Sequence, residues 1–595
     1  MLAPGLASAA PTQPNELQNP LVRADQCEYC HSYNNAPELA DDPLYAPFFT
    51  WRGSMMANAA RDPVFWAAVA VASQDAEDPA ETEACIRCHS PRAFLEGRGD
   101  AIAQADLLPE DLAGVECEVC HRMEADAPPG NAHMTIDDVL VGANVPRRGP
   151  WSYPEGGPIP APPHEVIADE FVGSSELCGT CHDVTTDRER VDEDGVGLGA
   201  LFNEQRTYSE WANSEFAVAG ADFASCQDCH MPAVQDMAGC RDHIMEGHAH
   251  AEGGRRHDLL GANRFVIELL ADDAPILQSV AFEHTLSLLD DFVQSAASLE
   301  VQAPESVNLG EGLADLTVTV TNETGHKLPT GYSEGRVMWL EVIATHDGEE
   351  IGSSGVWDQT EGRMTDDPQL RQYRAVAVEH SSGETFHLLR NNFWVEDTRI
   401  PPRGLVPDFE TDPVTDRYEL LGDGTWPNFD THTYTFAGRP ELAEIDGGTV
   451  SVTVRLLYLI NTAAYVDFLA EENETNAAGD DLAARFATAG GAPPLVLAEE
   501  TVEIPVVGAE PSGTSTGSMP GGTSSSTGEL DGTGGATSTG SLPESTGTTA
   551  GDGTGDVSSG QDEDPDGCSC RSQGQSTPLW GMTMLLLARR RRRTQ

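Results

Sequence analysis

Residues 178–182 read CGTCH (Cys178, Cys181, His182), and the same pattern, Cys-x-x-Cys-His, stands at four other places. These are CEYCH (Cys27, Cys30, His31), CIRCH (Cys85, Cys88, His89), CEVCH (Cys117, Cys120, His121) and CQDCH (Cys226, Cys229, His230). Together they take ten of the chain's 13 cysteines. Cys-x-x-Cys-His is the attachment signature of a c-type haem. The two thiols form thioether links to the porphyrin, and the adjacent histidine ligates the iron from one side. A redox dithiol needs no histidine after its second cysteine, and a zinc site pairs Cys-x-x-Cys with a second ligand pair at a set distance. Five repeats, with almost no other cysteine nearby, set both alternatives aside. The reading predicts five covalently attached haems c, with His31, His89, His121, His182 and His230 as proximal ligands.

Whether such a haem carries electrons or performs chemistry depends on its sixth ligand: two strong protein ligands make a carrier, an open position admits substrate. The histidines outside the motifs in the first 270 residues are His133, His164, His243, His248, His250 and His257, most of them in short loops rich in Pro or Gly. His133, His164 and His257 are the preferred candidates, with one of the 243–250 trio, taken as His248, as a further one. His326 sits in TNETGHKLPTGY (321–332), bracketed by Gly325 and Pro329-Thr330-Gly331. Alone it reads as a turn residue; beside five haems it is also a candidate ligand offered by the second half of the chain. His284, His346, His380, His387 and His432 read as packing or surface residues.

Three stretches, SSELCGTCHDV (174–184), TYSEWANSEFAVAGADFASCQDCHMP (207–232) and RRHDLLGAN (255–263), resemble the multihaem cytochromes of the cytochrome c-554 type, over roughly Asp25 to Arg264. The resemblance implies closely stacked haems in a mainly helical scaffold, bis-histidine ligation and electron transfer. His257 matches the histidine that follows the last motif in that family and serves there as a distal ligand. One departure stands out: where such proteins often carry a histidine, this chain has WRGSMMANAARDP, with Met55 and Met56. A thioether ligand from Met55 would make one haem His/Met and raise its potential; the alternative is that both methionines pack against a porphyrin face. Just after them, Asp62 and Pro63 read as a cap and first-turn proline, and VFWAAVAVAS (64–73) is apolar on nearly every face, so a buried helix is expected.

The remainder changes character. Residues 271–298 have helical spacing, with Ile276, Val280, Leu286, Leu289 and Phe292 as apolar positions, and read as a bridging helix. From 299 to 508, LTVTVT, VMWLEVIAT, VSVTVRLLYLI and VEIPVV read as strands between Gly/Asp turns, and no cysteine occurs. An all-β, sandwich-like domain is expected there. TGHKLPTGY, WLEV, FHLLRNNFWVEDTRIPPRG and YLINTAAYVDFL resemble the C-terminal domain that accompanies some multihaem cytochromes. Residues 509–566 are nearly all Gly, Ser, Thr, Pro and acid, a disordered linker by composition.

The expected organisation is thus a signal-peptide remnant (1–20), a mainly α, loop-rich pentahaem domain (21–270), the bridging helix, the β-domain, the linker and a C-terminal segment (567–595). MLAPGLASAAP ends in a cleavage-like Ala7-Ser8-Ala9 without a basic or apolar region before it. The C-terminal segment, with Cys568, Cys570, an apolar run from Leu579 to Ala588 and Arg589 to Arg593, resembles the sorting signals of myxobacterial surface proteins. That run is shorter than the roughly twenty residues a membrane span needs. Because c-type haem is attached outside the cytoplasmic membrane in bacteria, an exported, periplasmic or outer-surface-anchored protein is expected, touching membrane only through this tail. The net charge of -63 argues against nucleic acid or an anionic membrane surface and reads first as a generally acidic, self-repelling solvated exterior, with docking of a basic redox partner protein as the alternative. The expectation is an electron relay; the alternative is a multihaem oxidoreductase acting on a small substrate, such as a nitrogen compound, at one open haem. No Cys-x-x-Cys-Lys variant occurs. Cys240 has no assigned role.

Overall fold

The computed structural model describes residues 10–509 apart from 32–46, 126–127, 158–160, 235–236, 239–248, 251–253, 273, 333, 361, 413 and 415–416. The expectations for His243, His248, Cys240, the linker and the C-terminal segment therefore fall outside the described residues, and for His250 only the backbone is described. Among the described residues no helix is long and apolar enough to cross a membrane.

The second half is built on two antiparallel sheets. One runs Ala297–Gln302, Gly312–Asn322, Phe429–Ala437; the other runs Glu349–Ser354, Val337–His346, Thr449–Leu459, Leu495–Pro505, with Gln372–Tyr373 also paired to Val337–His346. The four segments expected as strands are strands. Alternation sets their faces. Met338, Leu340, Val342 and Ala344 join Val318, Val320, Val452 and Val454 in one core cluster between the sheets. Val337, Trp339, Leu457 and Leu459 point the other way into a second cluster. That double burial explains why VMWLEV is apolar without a break. Each fully buried side chain of this size contributes about 1.5–3 kcal/mol.

The expectation of an all-β second half is corrected by two helices, Ala463–Glu471 and Ala478–Ala489, inserted between the last two strands. Thr462 caps the first, its side chain accepting from Tyr465 N at 3.2 Å. Tyr465, Val466, Leu469 and Leu482 cover the outer face of the Trp339 strand. The first half is likewise more mixed than expected. Its helices are short, and between them lie two-stranded pairs, chief among them Val184–Val191 with Gly197–Gln205. Asp192 turns this hairpin by accepting from Asp194 N and Val196 N, and Gly195 takes φ +76°. Polar alternation in TTDRERV left no apolar stripe to announce a strand.

The helix Pro63–Asp75 forms as expected, with the Asp62 side chain accepting from Val64 N at 2.8 Å. It belongs to two cores at once. Val64, Ala67 and Val71 pack with Trp339 and Tyr465, while Trp66 and Val69 pack with Ile86, Phe94 and Val119. The expected bridging segment is a helix over Ile276–Gln294, preceded by Arg264–Ala271. Its buried face is Ala281, Phe282, Thr285, Leu289 and Val293; Ile276 and Val280 are exposed. Packing on the helix Pro47–Gly53 sets that face: a Cβ on Gly53 would lie 2.3 Å from Ala281 O, so only glycine admits the contact.

Candidate functional site

Each motif occupies about one helical turn. The first ends the helix Ala24–His31 and the second ends Pro79–His89, which starts with a reciprocal cap between Asp78 and Glu81. The third and fifth are the five-residue helices Cys117–His121 and Cys226–His230, and the fourth begins in Ser175–Gly179. In such a turn the cysteines at i and i+3 and the histidine at i+4 share one side. Five-residue helices are far below the length that is stable alone in water. They are held by their neighbours: Glu118, buried within the third motif, pairs with Arg122 and Arg147 and accepts from Val22 N.

All five motifs open on one continuous cavity of about 2370 Å³. A small-molecule pocket runs to roughly 300–1,000 Å³, so this space exceeds what one ordinary ligand fills. All ten motif cysteines line it, as do His31, His89, His121, His182 and His230. The motifs abut: Cys27 meets Cys117, Cys88 meets Cys181, and Cys178 meets Cys226. Cys120 faces both Cys178 and Cys181, joining the third motif to the fourth. In space the order is first, third, fourth, fifth, with the second beside the fourth. Burial pushes the Cys85 thiol up to about 12 and Cys120 to about 11.

The imidazoles share a second property. Nδ1–H donates to a backbone carbonyl in His121 (Arg148 O, 2.7 Å), His230 (Leu260 O, 2.6 Å), His257 (Arg255 O, 3.1 Å), His164 (Glu165 O, 3.2 Å) and His326 (Lys327 O, 3.0 Å). A carbonyl can only accept, so the proton is on Nδ1 and the Nε2 lone pair is left for a metal. Burial lowers His89, His230 and His257 to about 4, so they are neutral at pH 7, the form that ligates.

Two candidate pairs face each other. The ring centres of His31 and His164 are 6.4 Å apart, and those of His121 and His257 are 6.2 Å apart. Two imidazoles on opposite sides of one metal need about 6.3 Å, from roughly 2.0–2.1 Å to each nitrogen and about 1.1 Å more to each ring centre. His326, from the second half, lies within electrostatic reach of both His182 and His230. His133 is exposed at the cavity rim, its loop tied to the fourth motif by Ala132 N donating to Thr180 O at 2.7 Å. Met55 and Met56 line the cavity and also pack, Met55 against the Trp339 cluster and Met56 against the Ile86 cluster. His89 has Phe65 stacked on its ring at 4.0 Å. The thiol pairs, the neutral imidazoles and the size of the cavity together fit covalently attached haem.

Sequence reading missed the groups that tie the halves together. Lys327, next to His326, is buried with Asp397 at 2.8 Å and donates to Thr411 O. Its backbone N–H donates to Glu210 Oε2 at 3.0 Å, Thr330 donates to the same oxygen, and Arg399 pairs with both Glu210 and Asp397. Glu210 stands on the helix Thr207–Ala212, just ahead of the fifth motif, so the loop bearing His326 is fixed to the first half by buried charge. His387 pairs with Asp75 at 2.7 Å, a structural role in keeping with its sequence reading.

Residues 26–122 match the family described as cytochrome c554 and c-prime, a span that holds the first three motifs. Among solved structures, the chain is similar to a penta-heme cytochrome c552 from Thermochromatium tepidum. The identity is 18%, the match covers 81% of this chain and 99% of that one, and the TM-score is 0.44. No curated protein matches the chain. The family match, with the motifs, supports a multihaem c-type cytochrome.

Proposed function

We propose that the chain is a pentahaem c-type cytochrome that relays single electrons between redox partner proteins, exported to the periplasm or cell surface. When bound, each haem supplies a reversible one-electron Fe(III)/Fe(II) couple. The observation that carries the reading is the set of five imidazoles tethered through Nδ1 around one cavity, three of which, His121, His257 and His164, take part in two facing pairs with ring centres 6.2 and 6.4 Å apart. In this reading the motif cysteines anchor the rings, His31 works with His164 and His121 with His257. His326 completes the coordination of the fourth or fifth haem from a sandwich-like second half. Abutting motifs would leave no break in the path from first to fifth. The acidic surface would meet a basic partner.

A haem count by pyridine haemochrome and intact mass tests it: five per chain is expected, and any other number ends it. With all sixth ligands in place the ferric protein is low-spin; His326→Ala turns one haem high-spin, and a variant that stays wholly low-spin removes His326 from the ligand set.

A second reading is a multihaem oxidoreductase with an open position at one haem, and the second motif is the place to look, since the ring stacked on His89 is the phenyl of Phe65 and not a second imidazole. Rapid carbon monoxide binding by one reduced haem in the unaltered protein would select it.

A further inference from the structure

Between the second and fourth motifs, ionisable side chains gather that no ligand role uses. Asp62, Glu204, Tyr332, Arg336 and Tyr465 line the cavity, and Glu334 lies directly behind Tyr332. They come from separate elements. Asp62 caps the helix Pro63–Asp75, Glu204 ends the hairpin strand Gly197–Gln205, and Tyr465 stands on the helix Ala463–Glu471. Tyr332, Glu334 and Arg336 lead into the strand Val337–His346.

Hydrogen bonds link Tyr465, Tyr332 and Glu334, with Glu204 and Asp62 as electrostatic neighbours. Tyr332 O–H donates to Glu334 Oε2 at 3.0 Å, and the rings of Tyr332 and Tyr465 are 5.4 Å apart with their hydroxyls in hydrogen-bonding contact. Glu334 Oε1 accepts from Asn391 Nδ2 at 2.7 Å and from Ala377 N at 3.1 Å. Asn391 is 1% exposed and its Oδ1 has no partner. It is a spare acceptor beside the acid, usable by a protonated Glu334 once the amide turns over. The cations facing the group are Arg336, opposite Asp62 and Glu204, and Arg206, opposite Glu204; Arg336 is also held by Thr330 O. Cys85 of the second motif faces Glu204, and His182 of the fourth faces Arg336. Arg336 thus faces two carboxyls, Arg206 is already paired with Asp183 and Glu410, and Glu334 faces neither guanidinium, so an added negative charge in this confined space is costly.

The geometry points to a proton-exchange site in which Glu334, hydrogen-bonded to Tyr332 and within electrostatic reach of Glu204, would gain one proton when a haem iron held in the cavity gained one electron, and would lose it on reoxidation. The inference rests on the proposed haem-bearing cavity. With haem bound, the iron would take its electron from a one-electron donor protein. The Glu334 carboxylate would become a carboxylic acid with a proton from water, leaving the local charge unchanged. Burial holds the three acids well above the usual carboxylate range, Glu334 at about 8, Glu204 at about 7 and Asp62 at about 6, so the coupling falls near neutral pH.

The test is redox titration of the full, haem-loaded chain at pH values from 5 to 9, with dithionite as reductant, followed by visible and infrared difference spectra. At least one midpoint potential is expected to fall as pH rises. The limit is about 59 mV for each tenfold change in proton activity, and a carboxylic acid C=O band should grow on reduction. Glu334→Gln, close in shape, should keep the haem count, flatten that slope and remove the band; Glu204→Gln should flatten it in part. Potentials independent of pH in a fully loaded protein would overturn the inference and leave the relay standing. So would an unaltered slope in both loaded variants. A missing haem count would instead remove the reading beneath it.

Discussion

The two halves of the molecule solve the problem of a core in opposite ways. In the second half, two sheets interlock their own side chains: Leu340, Val342, Val452 and Val454 are wholly buried and touch one another. In the first half the motif helices surround a cavity of about 2370 Å³ instead. One core is written into the alternation of the chain; the other is a smaller cluster around Trp66, Ile86, Phe94 and Val119, set beside a cavity that a covalently held group would fill. Burial alone is therefore a poor guide to stability here, because the same class of side chain faces protein in one half and the haem space in the other.

The largest test of this contrast is a chain expressed without haem attachment. Amide exchange should show the strands Val337–His346 and Thr449–Leu459 protected and residues 47–125 largely unprotected; equal protection in both would erase the distinction. Next in size is Lys327→Met. Breaking a buried pair costs about 3–5 kcal/mol, and since Asp397 keeps only Arg399 and the Thr411 carbonyl loses its donor, the denaturant midpoint should fall toward the lower end of that range. A pH effect follows from Glu334. Its folded pKa lies at about 8, above the ordinary 4.5, so the folded state holds the proton more tightly. That contribution is complete below about 4.5 and is lost as pH rises to about 8, so the melting temperature should fall over this window and Glu334→Gln should level it. Asp62→Ala, which removes the cap of the shared helix, should cost about 0.5–2 kcal/mol in thermal unfolding. The smallest effect is expected from Arg188→Ala. Its ion pair with Glu77 is largely exposed, and the loss should stay within about 1 kcal/mol.

Much of this was legible in the sequence, and for unequal reasons. The attachment motifs are local: five residues within one turn carry the whole signal. The strands were legible because one face of each is buried, and the helix at Pro63 because Asp62 and the proline mark its start. The helices at 463–489 escaped notice because their alanines and acids read equally well as a polar connection, and their burial depends on the outer face of Trp339. Pairings such as His31 with His164 join residues far apart in the chain, and no spacing rule connects them. Glu210, Lys327, Asp397 and Arg399 were invisible for the same reason. A buried charge looks like a surface charge until its partner is known.

The helix Pro63–Asp75 carries one more consequence, which concerns the order of manufacture. Its sides are claimed by two cores, with Val64 and Val71 on one and Trp66 and Val69 on the other. Neither core is finished until the other has formed around it. Cys85, Cys117, Cys120, Cys178 and Cys181 line the cavity, half-buried, between these cores. An enzyme attaching haem would reach them more readily while the chain is still open. The C-terminal half, which brings Trp339 and Tyr465 to that helix, acts as a late seal, and whatever delays its closure lengthens the time in which haem can be loaded.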